Sequence, residues 1–360
     1  MIRTCFLLAL FLVVPACRAR PIQTISRGSM DMRGAMDMVG AMRMSGEVAT
    51  VMRGDHTASR LDCVPVYPSA AVEGQAKIAV IDLDGLLVNK NLGGLGSLAE
   101  NPVALFREKL DWVANDASIA AIVLRINSPG GGVTAADIMA RDLLQLKGQR
   151  PLPVVACLMD VGTGGGYYLA CTADRIVAHP TSVVGGIGVI LNVYNMELAI
   201  EQFNIASIPI KAGERIDIAS PEREMQFEER AMLQDMADEF HQRFKQHVRS
   251  ARPQLTSEEV FDGRVISGSR AQQLALVDQI GYMDDAVEQA RQLAQLPAGA
   301  PLVMLRRDND RAHTLLDVTP ITPTMPALLP LKLPGMDRST LPTFLYLWQP
   351  EPSLITAAGA

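Results

Sequence analysis

The stretch Met159–His179, MDVGTGGGYYLACTADRIVAH, holds a corner at which chemistry could be done. Apolar Pro153–Leu158 leads into three consecutive glycines, Gly164, Gly165 and Gly166, and Tyr167–Thr172 then has the composition of a short buried helix. A strand turning sharply into a helix start exposes the corner residue and aims free backbone N–H groups at it, an arrangement that suits a nucleophile and a developing negative charge. The corner residue is Gly164, which has no side chain. A second glycine loop, Ser128-Pro129-Gly130-Gly131-Gly132, follows the apolar run Ile119–Ile126. The backbone N–H groups of Gly130 and Gly131, together with Gly165, are placed to hold an oxyanion or a peptide carbonyl. Neither loop has the Gly-x-Gly-x-x-Gly spacing with a later acidic residue or the Gly-Lys-Ser/Thr ending of a phosphate loop, so a nucleotide is not implied.

The elements that must position these loops read as α/β. IAVIDLDG, from about Lys77, is a buried strand that Gly85 should stop. Asn101-Pro102 opens a helix with Val103, Leu105, Phe106, Leu110 and Val113 on its apolar face. Ile119–Ile126 is continuously apolar, as a parallel strand covered on both sides should be, and Thr134–Leu146 is helical. Strand, glycine loop and helix therefore occur twice, which predicts both loops at one carboxyl edge of a parallel sheet. Further on, Ser182–Ile190 is another glycine-interrupted apolar run, Tyr194–Phe203 a helix and Ser207–Ile210 a strand. Glu224–Arg249 is a long charged helix with Met225, Met232, Met236 and Phe240 on its apolar side, and three short elements run on through Ala294. Beyond Pro297 the chain is proline-rich, and its apolar fragments Ala327–Leu333 and Phe344–Trp348 are too short to make a domain and suited to a partner's surface.

The 360 residues, 48% of them hydrophobic, are enough for one sizeable core with appendages. A net charge of −6, no long basic run and 5% aromatic residues argue against a nucleic-acid partner. Arg3, the apolar run Cys5–Val14 and Val14-Pro15-Ala16-Cys17 have the layout of an export signal ending in a bacterial lipobox, which would make Cys17 the lipidated first residue of the mature protein. The expected organisation is a signal peptide over 1–16, a Met/Gly-rich tether over 17–76, the folded domain over 77–295 and a Pro-rich extension over 296–360. The protein is then expected outside the cytoplasm, held to the membrane by its lipid. Within the tether, Arg27–Gly54 is a degenerate repeat with seven of the 18 methionines. It reads as a flexible linker, and its Met-x-Met pairs, with His56 and Cys63 nearby, offer a sharper alternative in Cu(I) capture. Cys157 and Cys171 lie in apolar segments and read as core residues. No cofactor and no metal site are assigned.

Taken in order, Arg125-Ile126-Asn127-Ser128-Pro129-Gly130-Gly131, Gly165-Gly166-Tyr167-Tyr168, Asp217…Ser220-Pro221 and Asp262-Gly263-Arg264-Val265…Gly268…Ala271…Leu274…Leu276-Val277-Asp278…Gly281 resemble the signal peptide peptidase A family. The resemblance covers about Lys77 to Leu293. It implies a crotonase/Clp-protease-like fold of stacked βαβ units with a parallel sheet and a C-terminal helical part. It also implies membrane association, peptide or signal-peptide-remnant substrates, and a homo- or hetero-oligomeric ring in which serine and lysine come from neighbouring subunits. In that family a serine precedes Gly-Gly-Tyr and a lysine acts as its general base. Aligned residue by residue, the serine falls on Gly164 and the lysine on Ile216. A further family serine, in a Thr-Gly-Ser-Ile-Gly-Val segment, falls on Gly186. Glycine supplies no oxygen and isoleucine accepts no proton, so the resemblance implies a catalytically impaired peptidase relative that binds peptides or scaffolds. The alternatives are a peptidase rewired onto Thr163 and Lys211, and an acyl-CoA enzyme of the crotonase type. The first requires Thr163 and Lys211, offset by one and five residues, to reach the places of the missing pair. The second lacks support after Lys211 and is at odds with export.

Overall fold

The alternation of apolar runs resolves into a sheet buried on both faces. The computed structural model describes residues 60–66, 75–92, 97–255, 257–308, 310, 312–321 and 343–348. The leader, Cys17, the methionine repeat and His56 lie outside them. In chain order the elements are β1 (Asp62–Pro65), β2 (Lys77–Leu87), α1 (Pro102–Asn115), β3 (Ile119–Gly132), α2 (Val133–Gln149), β4 (Val154–Thr163), α3 (Gly165–Ala170), β5 (Arg175–Ala178) and β6 (Val183–Gly185). They continue with α4 (Glu197–Glu201), α5 (Phe227–Ala251), β7 (Val265–Ser267), α6 (Gly268–Gln273), β8 (Gln279–Ile280), α7 (Met283–Leu293), β9 (Leu302–Arg306) and β10 (Leu345–Leu347).

The strand order is β1-β9-β2-β3-β4-β5-β8, parallel from β9 to β8 and antiparallel only where β1 joins β9. Successive residues of each central strand feed opposite layers, as a period of two requires. Ala79, Ile81, Ile122, Leu124, Val154 and Ala156 pack in the layer that also contains residues of α1, α2, α3 and α5. Ile78, Val80, Ala121, Val123, Val155 and Cys157 pack in the other, with Met283, Ala286 and Ala290 of α7. The α/β class and the parallel βαβ units expected from the sequence are present. Helix α1 begins as predicted, with the Asn101 side chain accepting from the N–H groups of Val103 and Ala104 and Pro102 in the first turn.

Several expectations change. Gly85 does not end β2. It takes φ +72°, the register slips between Asp84 and Leu86, and the strand continues to Leu87, so the glycine makes a bulge rather than a stop. Ser207–Ile210 is not a strand: it has no pairing partner and its side chains face solvent, Ile210 completely. Helix α5 docks through Phe244 and Val248 at its C-terminal half, while Met232 and Met236 remain 42% and 43% exposed. The ordered sheet also runs past both expected domain limits, because β1 precedes residue 77 and β9 and β10 follow residue 295. Arg306 of β9 is buried and shares Asp82 of β2 with Lys109 of α1, at 2.8 and 2.7 Å, which ties the late strand to the middle of the fold.

Candidate peptide groove

Strands β3 and β4 are adjacent and parallel, with Ile122 opposite Val154 and Ser128 opposite Gly162, so the two glycine loops emerge side by side. A Cβ added at Gly130 would lie 2.6 Å from the Gly165 nitrogen, and one added at Gly165 would lie 3.4 Å from the Gly131 nitrogen. The three glycines assigned to oxyanion or peptide binding are thus brought together, and the close approach of backbone to backbone explains why they lack side chains. The Ser128 hydroxyl braces the loop, donating to the Gly85 carbonyl at 2.6 Å and accepting from the Gly130 N–H at 3.1 Å.

Gly164 caps α3 with φ +51° and ψ −124°, a backbone state that a residue with a Cβ adopts only under strain. Its N–H donates to the Gly185 carbonyl at 3.0 Å. The space in front of it is filled by β10. A Cβ at Gly164 would lie 2.2 Å from the carbonyl oxygen of Tyr346, 2.7 Å from its carbonyl carbon and 3.0 Å from the Pro129 carbonyl oxygen. Strand β10 runs antiparallel to the glycine loop, with Leu345, Tyr346 and Leu347 opposite Gly132, Gly131 and Gly130. On its other edge, Leu345 and Ile190 exchange backbone hydrogen bonds at 2.9 and 3.0 Å. The fragment expected to pack on a partner therefore packs on its own chain.

The position expected for the base behaves differently. Ile216 is 73% exposed in a turn-rich segment between α4 and α5. That segment is organised around Asp217, which accepts from Arg223 and from Lys211 at 2.7 Å, while Arg223 also pairs with Glu229 at 2.6 Å. The hydrogen bonds from Arg223 and then Lys211 hold the Asp217 carboxyl well below the usual carboxylate range. Lys211 donates in addition to the Glu214 carbonyl. Thr163 is fully buried, and its hydroxyl has no hydrogen-bond partner among the described residues. Within one chain, then, Thr163 and Lys211 do not form a dyad. Lys211 is engaged elsewhere, and the threonine is shut in behind the corner, 3.2 Å from the place a Cβ of Gly186 would occupy.

Cys157 and Cys171 are buried, and desolvation pushes both thiols up to about 12, so neither offers a thiolate. Among the described residues there is no cluster of His, Cys, Asp and Glu suited to a metal ion, and no helix is long and apolar enough to cross a membrane. What sequence reasoning missed is the aromatic setting of the groove. Tyr346 is fully buried, lying 4.6 Å from the ring of Phe244 and 5.3 Å from that of Tyr168, and its hydroxyl donates to the Phe240 carbonyl at 2.7 Å. Behind Tyr168, His247 stacks at 4.0 Å and faces the Tyr168 carbonyl oxygen with Nε2 at 2.9 Å; burial lowers the affinity of this histidine for a proton. The alternating apolar and aromatic run FLYLW was the available signal.

Comparison with known proteins finds similarity to peptidases. Residues 147–297 match the model described as peptidase family S49. An Enterococcus faecium protein whose name provisionally describes it as signal peptide peptidase SppA is 28% identical over 222 residues, covering 61% of this chain and 64% of the relative. The chloroplastic serine protease SPPA of Arabidopsis thaliana is 30% identical over 239 residues, 64% of this chain and 34% of the relative. Protease 4 of Salmonella typhi is 29% identical over 246 residues, 68% of this chain and 37% of the relative. The chain thus spans less than two thirds of the length of each. Among solved structures, a Ser-to-Ala variant of the 1510-N membrane-bound stomatin-specific protease overlaps 60% of this chain and 85% of its own at 12% identity, with a TM-score of 0.38, too slight to carry an argument. Over residues 147–297 the chain thus matches peptidase family S49, and along more than half of its length it is similar to relatives named as signal peptide peptidase A proteins.

Proposed function

We propose that this protein is a membrane-anchored, oligomeric member of its family that holds extended peptides at the glycine corner without hydrolysing them. The observation that carries the reading is Gly164. The corner that should present a hydroxyl presents a positive-φ glycine against a peptide carbonyl, with no room for a Cβ. The base position supports it too, since a residue at 216 lies in water within one chain, where a lysine would stay protonated. Oxyanion and binding elements alone leave a hydrolase with a residual rate orders of magnitude below that of the intact site.

Anchoring rests on the lipobox-like Cys17, with export to the periplasmic or another extracytoplasmic face. Cys17→Ala should move the protein from the membrane to the soluble fraction, and unchanged partitioning would refute lipid anchoring. Assembly finds support in the apolar side chains left in water along one stretch: Leu198, Phe203, Ile208, Ile216, Phe227, Met232 and Met236. Phe227→Asp with Met236→Asp should lower the molar mass measured by light scattering, and an unchanged mass would count against this surface. For catalysis, the test is turnover of a fluorogenic peptide together with labelling by a serine-directed probe, both expected to be absent.

A further inference from the structure

Helix α5 reaches the glycine corner through two histidines. His241 and His247 lie one turn to either side of the buried Phe244. We propose that this pair is an acid-sensitive latch: neutral, it fastens α5 to both walls of the corner, and protonated, it lets α5 lift from them. The device belongs to the fold, and it stands or falls independently of whether the corner holds peptide or cleaves it.

Each histidine grips a different wall. His241 faces the Ile187 carbonyl with Nε2 at 3.0 Å. Ile187 belongs to the loop that receives the corner, where the Gly164 N–H donates to the Gly185 carbonyl at 3.0 Å and the Gly186 N–H to the Arg264 carbonyl at 2.9 Å. His247 faces the Tyr168 carbonyl with Nε2 at 2.9 Å and stacks on the Tyr168 ring at 4.0 Å. Tyr168 lies in the last turn of α3, where carbonyls lack a partner within the helix, and its own N–H donates to the Gly164 carbonyl at 2.9 Å. A carbonyl oxygen only accepts, so Nε2 carries the hydrogen in both neutral rings and Nδ1 is where a second proton adds.

The surroundings set the sign. Around His247, the Tyr168 carbonyl and Asp137 of α2 favour the charged ring, and Arg243 of α5 opposes it. Around His241, the Ile187 and Phe261 carbonyls and Asp238 favour charge, and Lys245 opposes it. Burial opposes charge at both and is the largest influence, so each ring takes its second proton more readily once α5 has lifted into water. Acid therefore drives the lifting. Helix α5 can move apart from the sheet, because its apolar burial is confined to Phe244 and Val248 while Met232 and Met236 already face water. On the extracytoplasmic face proposed above, the latch would meet the pH of the surroundings.

The test is amide exchange in the full-length protein at pH 7.5 and 5.5, corrected for the intrinsic rate at each pH, in wild type, His241→Gln, His247→Gln and the double variant. Glutamine can still donate to a carbonyl but does not titrate. In wild type the N–H groups of Gly164, Tyr168 and Gly186 should lose protection at pH 5.5, a unit below the ordinary histidine value, by up to ~10-fold for each histidine and ~100-fold for the pair. Those of Ile122 and Leu124 in β3 should not change. Each single variant should remove its share, and the double variant should show no pH dependence. Equal protection of the corner at both pH values in wild type would overturn the latch, as would the same loss in the double variant. A loss shared equally by the β3 amides would mark global unfolding and overturn it as well. Wild type alone supplies a measurement free of folding effects, an NMR titration of both imidazole rings with the corner amides followed in parallel. The corner signals should move with the rings, and corner signals that follow neither histidine would overturn the proposal.

Discussion

Replacing Gly164 by alanine probes the corner and its occupant together. The new Cβ would meet the Tyr346 carbonyl oxygen at 2.2 Å, its carbon at 2.7 Å and the Pro129 oxygen at 3.0 Å, all of them backbone atoms. Relief requires a shift of about 1 Å, since carbon contacts are comfortable only near 3.5 Å. Strands β3 and β4 are buried on both faces and cannot yield, whereas β10 is short and can. Alanine at φ +51° adds ~1–3 kcal/mol of strain. Displacing Tyr346 forfeits the burial of a large ring and its aromatic contacts, ~2–3 kcal/mol. The sum is a loss of ~3–6 kcal/mol, an upper figure because a displaced strand relieves part of the strain. Urea unfolding would measure it. Gly148→Ala is the control, because a Cβ there meets nothing within 4 Å and the position lies inside α2, where alanine should be neutral or stabilising by up to ~1 kcal/mol. In Gly164→Ala, amide exchange should show Leu345 and Trp348 losing protection before the β3 core. Stability within ~0.5 kcal/mol of wild type, with both amides still protected, would refute the close approach of β10 to the corner.

The buried charge cluster should be sensitive to loss of its one shared carboxylate. Asp82→Asn leaves Lys109 and Arg306 buried without their common partner and should lower stability by ~3–5 kcal/mol in chemical denaturation, whereas a change under ~1 kcal/mol would show the cluster to be hydrated. The histidines at the back of the groove predict a pH dependence. Burial depresses the proton affinity of His247 and of His241 in the folded state, so below about pH 6.5 the unfolded chain binds more protons than the native one. Stability should therefore be level above that pH and fall below it by up to ~1.4 kcal/mol per pH unit for each histidine, until the folded forms protonate as well. His247→Gln should flatten the change in melting temperature between pH 7.5 and 5.5, and an unaltered profile would exclude His247 as a contributor.

The parts of this fold that were legible are those written in local pattern. Continuous apolar runs such as Ile119–Ile126 and Val154–Leu158 announce strands covered on both faces, and a glycine loop followed by helical periodicity announces the turn at their carboxyl ends. Asn101-Pro102 is a start signal that works through its own side chain. Pairing between distant short segments leaves no such trace. Strand β9 follows β2 by more than two hundred residues and joins it by three register pairs, and β10 has only three residues. Exposed Ser207–Ile210 shows the converse, since apolar β-branched residues make a strand only where a partner strand exists. Gly85 misled because a glycine that bends a strand and one that ends it look alike in sequence. At the site, the glycine corner at Gly164 was readable from the sequence. That its place is taken by the Tyr346 carbonyl was not, because the seat for this strand is built from α5, α3 and the glycine loop together.

The central claim, that this corner holds peptide and performs no hydrolysis, is tested most directly with the groove opened. Turnover of a fluorogenic peptide carrying the LPTFLYLWQP sequence should be measured for full-length wild type, for Tyr346→Asp, and for Tyr346→Asp combined with Thr163→Val. The account predicts binding without turnover in the opened variant and no labelling by a serine-directed probe in any of the three. Turnover that appears when the groove opens and disappears with Thr163→Val would contradict it, and would make Thr163 the nucleophile of a working peptidase.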